Sequence, residues 1–187
     1  MGEPRGRALS GRTVGLVGLG GIGKALIKRL KAFDVHLIGI KRHHTPNAMK
    51  ELDLEWVGGP EDITELLKRS DFVVLCLPYT PETQNLINPA SISFMKRSAF
   101  LINLSRGGLV NRRALQEALA SGTIAGAGLD VFWEEPPDPS DPIFNFNVLA
   151  TPHIAGSTDV SIRGIVKAVS DNILRLEKNK EPLYVKN

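Results

Sequence analysis

Residues 14–26 read VGLVGLGGIGKAL, and Gly18, Gly20 and Gly23 set a G-x-G-x-x-G spacing between an apolar run and a stretch of helical period. No other feature narrows the fold as much, because this one asks for a strand that turns sharply into a helix. Each glycine has a separate physical task. Gly18 permits the tight turn, Gly20 lets a pyrophosphate approach the backbone with no Cβ in the way, and Gly23 lets helix and strand pack closely. The amides at the helix start, at Gly21 and Ile22, then face the anion. Dinucleotide binding is the expectation, against the plainer reading of a glycine-rich turn that serves packing alone.

The rest of the chain continues the alternation that this unit begins. Apolar runs at 13–17, 35–40, 71–77, 99–104, 124–129 and 148–150 read as strands, several of them apolar throughout, as parallel strands covered on both faces should be. Helical stretches lie at 22–32, 61–69, near 89–96, at 111–120 and at about 158–178. In 111–120, Asn111 is placed to cap, Ala114, Leu115, Ala118 and Leu119 form one apolar stripe, and Gly122 ends the helix. In 158–178, Ile162, Ile165, Val166, Val169 and Ile173 recur at spacings of three and four, so one face is expected to pack. Segments 43–60 and 134–142 resist both periods and read as loops. The expected architecture is α/β, a doubly wound parallel sheet of Rossmann type. It is assigned to residues 13–176, with 1–12 as an N-terminal remnant or linker and 177–187 as a C-terminal tail.

Composition excludes other classes. Of the 187 residues 42% are hydrophobic and 23% charged, which argues against disorder, a coiled coil or a collagen-like chain. A single cysteine, Cys76, forms no internal disulfide, no apolar run is of membrane-spanning length, and the first residues lack the apolar core of a secretory signal. A reducing, cytoplasmic setting without membrane association is expected. The net charge of +3 and the 6% aromatic content weigh against a nucleic-acid partner.

The second strand of a dinucleotide-binding unit ordinarily ends in an acid that reads the adenosine ribose. Here the chain runs GIKRHH, and Lys41 and Arg42 offer two cations instead. Cations at that place suit a 2′-phosphate, so NADP is favoured, with NAD possible and a solvated surface charge run as the plain alternative. His43 and His44 have no partner at metal-ligand spacing, and no metal site is expected. Three later segments, NLSRGG (103–108), GLDVFWEEP (128–136) and TPHIAGS (151–157), follow strands and so fall where open α/β sheets place their sites. Within them Arg106 is suited to clamp a carboxylate or simply to close a surface turn, Glu135 to tune a base or to add one more charge to an acidic loop, and His153, taken alone, reads as structural.

Taken in order and spacing, VGLVGLGGIGKAL, LPYTPETQNLI, NLSRGGLVNRRAL, GAGLDVFWEEP and NVLATPHIAGST closely resemble the cofactor domain of the D-isomer-specific 2-hydroxyacid dehydrogenases over residues 9–187. The resemblance implies hydride transfer between NAD(P)H and a small 2-oxo or 2-hydroxy acid, with Arg106, Glu135 and His153 as the catalytic residues. It also implies that Asp130 meets the nicotinamide carboxamide, that Pro78, Thr83, Leu104, Ser105 and Gly156 line the cofactor cleft, and that Arg106 and His153 border it. The branches that reduce hydroxypyruvate or glyoxylate, or oxidise phosphoglycerate, are the nearest. Family members carry a substrate domain built mostly from chain ahead of the glycine loop, and about a dozen residues precede that loop here. A non-catalytic dinucleotide-binding module, a truncated product or a corepressor-like sensor, is the alternative. A homodimer is expected in the full-length context, through exposed apolar residues of 89–95 and 131–133, although a buried crossover would also account for Val131, Phe132 and Trp133.

Overall fold

Short runs of Val, Ile and Leu have one way to satisfy both their backbone groups and their apolar side chains, which is to pair inside a sheet covered on both faces. In a computed structural model, which describes residues 8–43 and 47–185, seven strands do so. They are β1 (Thr13–Val17), β2 (His36–Ile40), β3 (Trp56–Gly58), β4 (Phe72–Leu75), β5 (Phe100–Asn103), β6 (Gly126–Leu129) and β7 (Val148–Ala150). All pairs are parallel, in the order β3-β2-β1-β4-β5-β6-β7. The direction of progression reverses between β1 and β4, and the carboxyl ends of those two strands therefore flank the crevice that such a sheet opens to ligands. On β4, Val73 and Leu75 enter one buried cluster and Val74, with Cys76 beyond the strand, enters the other, so this strand lies between two cores.

The chain divides into two compact units, Met1–Pro152 and His153–Asn187. The first holds the sheet with α1 (Gly21–Leu30), α2 (Ala48–Leu52), α3 (Ile63–Arg69), α4 (Pro89–Ile92) and α5 (Arg112–Ala120). At α5 the sequence reading holds in detail. The Asn111 side chain accepts the Ala114 N–H at 2.9 Å, the four stripe residues are buried, and Gly122 adopts a φ of +66°. The second unit holds α6 (Asp159–Glu177), opened by Thr158, whose Oγ1 accepts the Ser161 N–H at 3.1 Å.

The structure departs from the sequence reading in four places. Segment 43–60 is not all loop, since it contains α2 and β3. These elements, five and three residues long, are too short to show a period, and β3 is specified by its pairing with Ile38, Gly39 and Ile40. The helix near 89–96 closes after Ile92, where Phe94 N–H and Met95 N–H turn back onto the carbonyls of Ser91 and Ile92. Val131 and Phe132 offer no exposed docking patch, because both are buried, and in the stretch 89–95 Ile92 and Met95 are buried with them while Phe94 is exposed. Within its own unit the expected packed face of α6 is uncovered, with Ile162, Ile165, Val166, Val169 and Ile173 between 54 and 64% exposed. Their own unit gives that helix only its trailing segment, held by Asn172 on Leu183 and Arg175 on Glu181.

Candidate cofactor cleft and catalytic loops

The carboxyl ends of β1, β2 and β4 enclose a cleft of about 730 Å³ lined by Gly18, Gly20, Lys41, Arg42, Pro78 and Thr83, among others. The glycine turn has the geometry that its spacing requires. Gly18 sits at φ +103°, a conformation that side chains disfavour, and its N–H bonds the Ile40 carbonyl at 3.0 Å, joining the ends of β1 and β2. A Cβ on Gly23 would lie 2.3 Å from the Gly18 carbonyl oxygen, so only glycine lets α1 sit this close to the turn. Gly20 and Gly21 are the opposite case, with no atom within 4 Å of where a Cβ would stand. Open backbone here, at the start of a helix with no acidic residue in its first turn, is what a pyrophosphate needs. The first-turn amides of Gly21 and Ile22 have no intrahelical acceptor.

The other walls are held by backbone and hydroxyl bonds. The Lys41 N–H donates to Gly58 O at 3.1 Å, which anchors the end of β2 through β3. Thr83 Oγ1 accepts the Thr80 N–H at 2.8 Å and donates to the Pro78 carbonyl at 2.9 Å, so this hydroxyl fixes the turn as well as bordering the cleft. Burial pushes the Cys76 thiol up to about 11.

Beyond β5 and β6 the loops are stitched rather than open. Ser105 Oγ donates to Leu75 O at 2.8 Å, Asn103 Nδ2 donates to Arg106 O at 2.9 Å, and the Arg106 guanidinium bonds Ser105 O at 2.6 Å. Arg106 and Leu104 remain exposed while Ser105 is buried. Gly107 lies directly on the loop after β6, where an added Cβ would meet Phe132 O at 2.1 Å. That contact carries the Arg106 loop onto the segment of Glu135, whose Oε1 accepts the Phe132 N–H at 3.0 Å. Trp133 Nε1 donates to Val110 O at 2.6 Å, and Arg112 pairs with the buried Asp141 at 2.7 Å. Asp130 is buried at the end of β6 and accepts the Thr151 hydroxyl at 2.6 Å. His153, at φ +53°, is the first residue of the second unit and is exposed, as is Gly156.

The family described as "D-isomer specific 2-hydroxyacid dehydrogenase, NAD binding domain" matches residues 1–155. The chain belongs to that family. Among its relatives, the glyoxylate reductase of Thermococcus litoralis is 42% identical over 95% of this chain and 52% of its own length. The D-3-phosphoglycerate dehydrogenase of Methanocaldococcus jannaschii is 39% identical over 92% of this chain and 32% of its own. A D-isomer-specific 2-hydroxyacid dehydrogenase from Xanthobacter autotrophicus, solved in complex with NADPH and MES, superposes with a TM-score of 0.86 at 32% identity, over all of this chain and 75% of that one. The chain spans about half the length, or less, of the curated relatives that it matches.

Within this 2-hydroxyacid dehydrogenase domain, the residues assigned from sequence fall into three places. Gly18, Gly20, Lys41, Arg42, Pro78 and Thr83 line one cleft. Leu104, Ser105, Arg106, Asp130 and Glu135 stand on the loops after β5 and β6, and His153 and Gly156 belong to the second unit. The sequence reading passed over Leu19, Cys76, Leu77, Thr80 and Glu82, which also line the cleft, and weighed His43 only as a metal ligand, a role it set aside. Most of these follow β4, and the strand-end rule that selected the later loops would have found them once β4 was seen to lie beside β1. His44 lies outside the described residues. Among the described residues no helix is long and apolar enough to cross a membrane.

Proposed function

We propose that this chain is the cofactor-holding part of an oxidoreductase that moves a hydride between a nicotinamide dinucleotide, NADP(H) in preference to NAD(H), and a small 2-oxo or 2-hydroxy acid. The observation that carries the cofactor preference is the Lys41-Arg42 pair on the wall of the cleft, at the end of β2, where an acid would read the ribose hydroxyls. Two cations there suit a 2′-phosphate. The names of the relatives, reductase of glyoxylate and dehydrogenase of D-3-phosphoglycerate, support the substrate class.

When bound, the nicotinamide supplies the hydride to carbon 2 of the oxo acid or takes it from the hydroxy acid. The residues of the chain do the rest. Arg106, exposed with its guanidinium steadied on Ser105 O, binds the substrate carboxylate and polarises the ketone. His153 in its protonated form gives a proton to the carbonyl oxygen as negative charge grows there, and in its neutral form removes that proton in the oxidative direction. Glu135 is the acid that this reading assigns to the same proton transfer. Asp130, fixed by Thr151, meets the carboxamide and sets which face of the ring is presented.

Titration of cofactor fluorescence at low salt tests the preference. NADPH is expected to bind about tenfold more tightly than NADH, as one charge-assisted contact provides, and Lys41→Asp should move the preference toward NADH. Equal or weaker binding of NADPH overturns it. With a substrate-binding part present, His153→Ala should remove most of the reduction and leave cofactor affinity nearly intact, whereas Arg106→Ala should damage KM and kcat together. A near-normal kcat in His153→Ala would remove the histidine from its role.

A further inference from the structure

The cleft that presents Lys41 and Arg42 also presents a carboxylate. Glu82 lines it from the turn after β4, while the two cations line it from the end of β2. That turn is not a loose loop. Besides the two bonds of the Thr83 hydroxyl, the backbone N–H groups of Thr83 and Gln84 both donate to Thr80 O, at 3.1 and 3.0 Å. The Glu82 carboxyl is held below the usual carboxylate range, first by a hydrogen bond from the Thr80 hydroxyl, then by its own backbone N–H, and with a smaller contribution in the same direction from the charge of Arg42. The carboxylate is therefore ionised at neutral pH, fixed on a braced turn, and within the field of the cation that a 2′-phosphate would seek.

A 2′-phosphate and Glu82 make opposite demands on Arg42. A phosphate monoester carries nearly two negative charges near neutral pH. Brought to the cation pair, it shares Arg42 with a carboxylate already there and is repelled by that carboxylate across the cleft. A ribose with free hydroxyls brings no charge and meets neither cost. We propose that Glu82 is a specificity-determining residue of this cleft, a fixed anion that limits how far the Lys41-Arg42 wall can favour a 2′-phosphorylated dinucleotide over an unphosphorylated one. The inference rests on the dinucleotide reading of the cleft and deepens it.

Glu82→Gln removes the charge and keeps the size and polarity of an exposed side chain. In this variant NADPH should bind about three- to tenfold more tightly, NADH should change by less than about twofold, and the gain should shrink as salt is raised, since the charges are solvent-facing. Glu82→Asp should leave the NADPH-to-NADH ratio near that of the wild type. In an Arg42→Gln background Glu82→Gln should have a smaller effect, because part of its action runs through Arg42. A Glu82→Gln protein in which both affinities move together, or neither moves, overturns the proposal. The two readings separate cleanly. A wild type that prefers NADH, with a Glu82→Gln ratio shifted toward NADPH by the expected factor, removes the cofactor preference and keeps the role of Glu82. A wild type that prefers NADPH with a ratio insensitive to Glu82 does the reverse, and failure of both dinucleotides to bind removes both.

Discussion

The carboxyl edge of the sheet is constructed by opposite means in its two halves. Around β1, β2 and β4 it is made by leaving atoms out. Gly20 and Gly21 face open space, and the cations at 41 and 42 line a cleft, which leaves room for a ligand to bond there. Around β5, β6 and β7 it is made by tying atoms together, with Ser105 on Leu75, Trp133 on Val110, Arg112 on Asp141 and Thr151 on Asp130. The difference follows from what each half would have to do. A pyrophosphate needs bare backbone, whereas side chains meant to act on a reacting centre need their positions fixed before the substrate arrives.

Substitutions at two glycines set the halves against each other most sharply. Gly107→Ala places a Cβ against the backbone of Phe132 and should destabilise the protein by about 3 kcal/mol, measured by urea unfolding. A variant as stable as the wild type would mean that the second half is not tightly tied. Gly20→Ala meets nothing, so its unfolding should shift by no more than about 0.5 kcal/mol. Its dinucleotide affinity should nonetheless fall about tenfold, because the new methyl enters the path of the pyrophosphate. Loss of stability without loss of affinity would reverse the assignment.

Smaller effects refine the contrast. Trp133→Phe keeps an aromatic side chain but shrinks the indole to a phenyl and deprives the buried Val110 carbonyl of the indole N–H, and should cost about 1 kcal/mol or more in the same unfolding assay. The opposite edge of the sheet gives a baseline. There burial raises the Asp71 pKa, but the Thr13 N–H, the Lys96 ammonium and the Arg12 charge together outweigh it and hold the carboxyl below its usual value. A depressed carboxylate contributes stability above its unfolded pKa and loses it as pH falls through the folded one. Asp71→Asn should therefore flatten the acid limb of stability against pH, by about 1 kcal/mol or less. An unchanged acid limb would show that this ion pair contributes nothing.

The two halves were also unequally legible in the sequence. The glycine turn can be read locally, because its three constraints fall within six residues and each excludes side chains for a reason visible in the spacing. Lys41 follows from it by counting along one strand and helix. The stitched half has no such local signature. Ser105 finds its acceptor 30 residues away, Trp133 23 and Arg112 29, and no periodicity encodes those distances. Arg106, Glu135 and His153 could be picked out only by chemistry and by resemblance, and Glu82 was missed because its importance appears only when β4 is set beside β1. The buried Val131 and Phe132 and the face of α6 that its own unit leaves uncovered show the same boundary from the other side. An apolar stretch states that a partner is wanted without saying which one.

Cys76 joins these points to time. It is the chain's one cysteine, and it stands where β4 passes beside the glycine turn, its N–H on Val17 O at 2.8 Å and its carbonyl against Gly18. With its pKa pushed up to about 11, only about one thiol in ten thousand is ionised at pH 7, and burial shields even that fraction. Cys76 also lines the cleft, so the rate of its slow alkylation records how accessible that cleft is. The molecule thus carries its own clock at the seam a dinucleotide would close, and a bound cofactor should slow it.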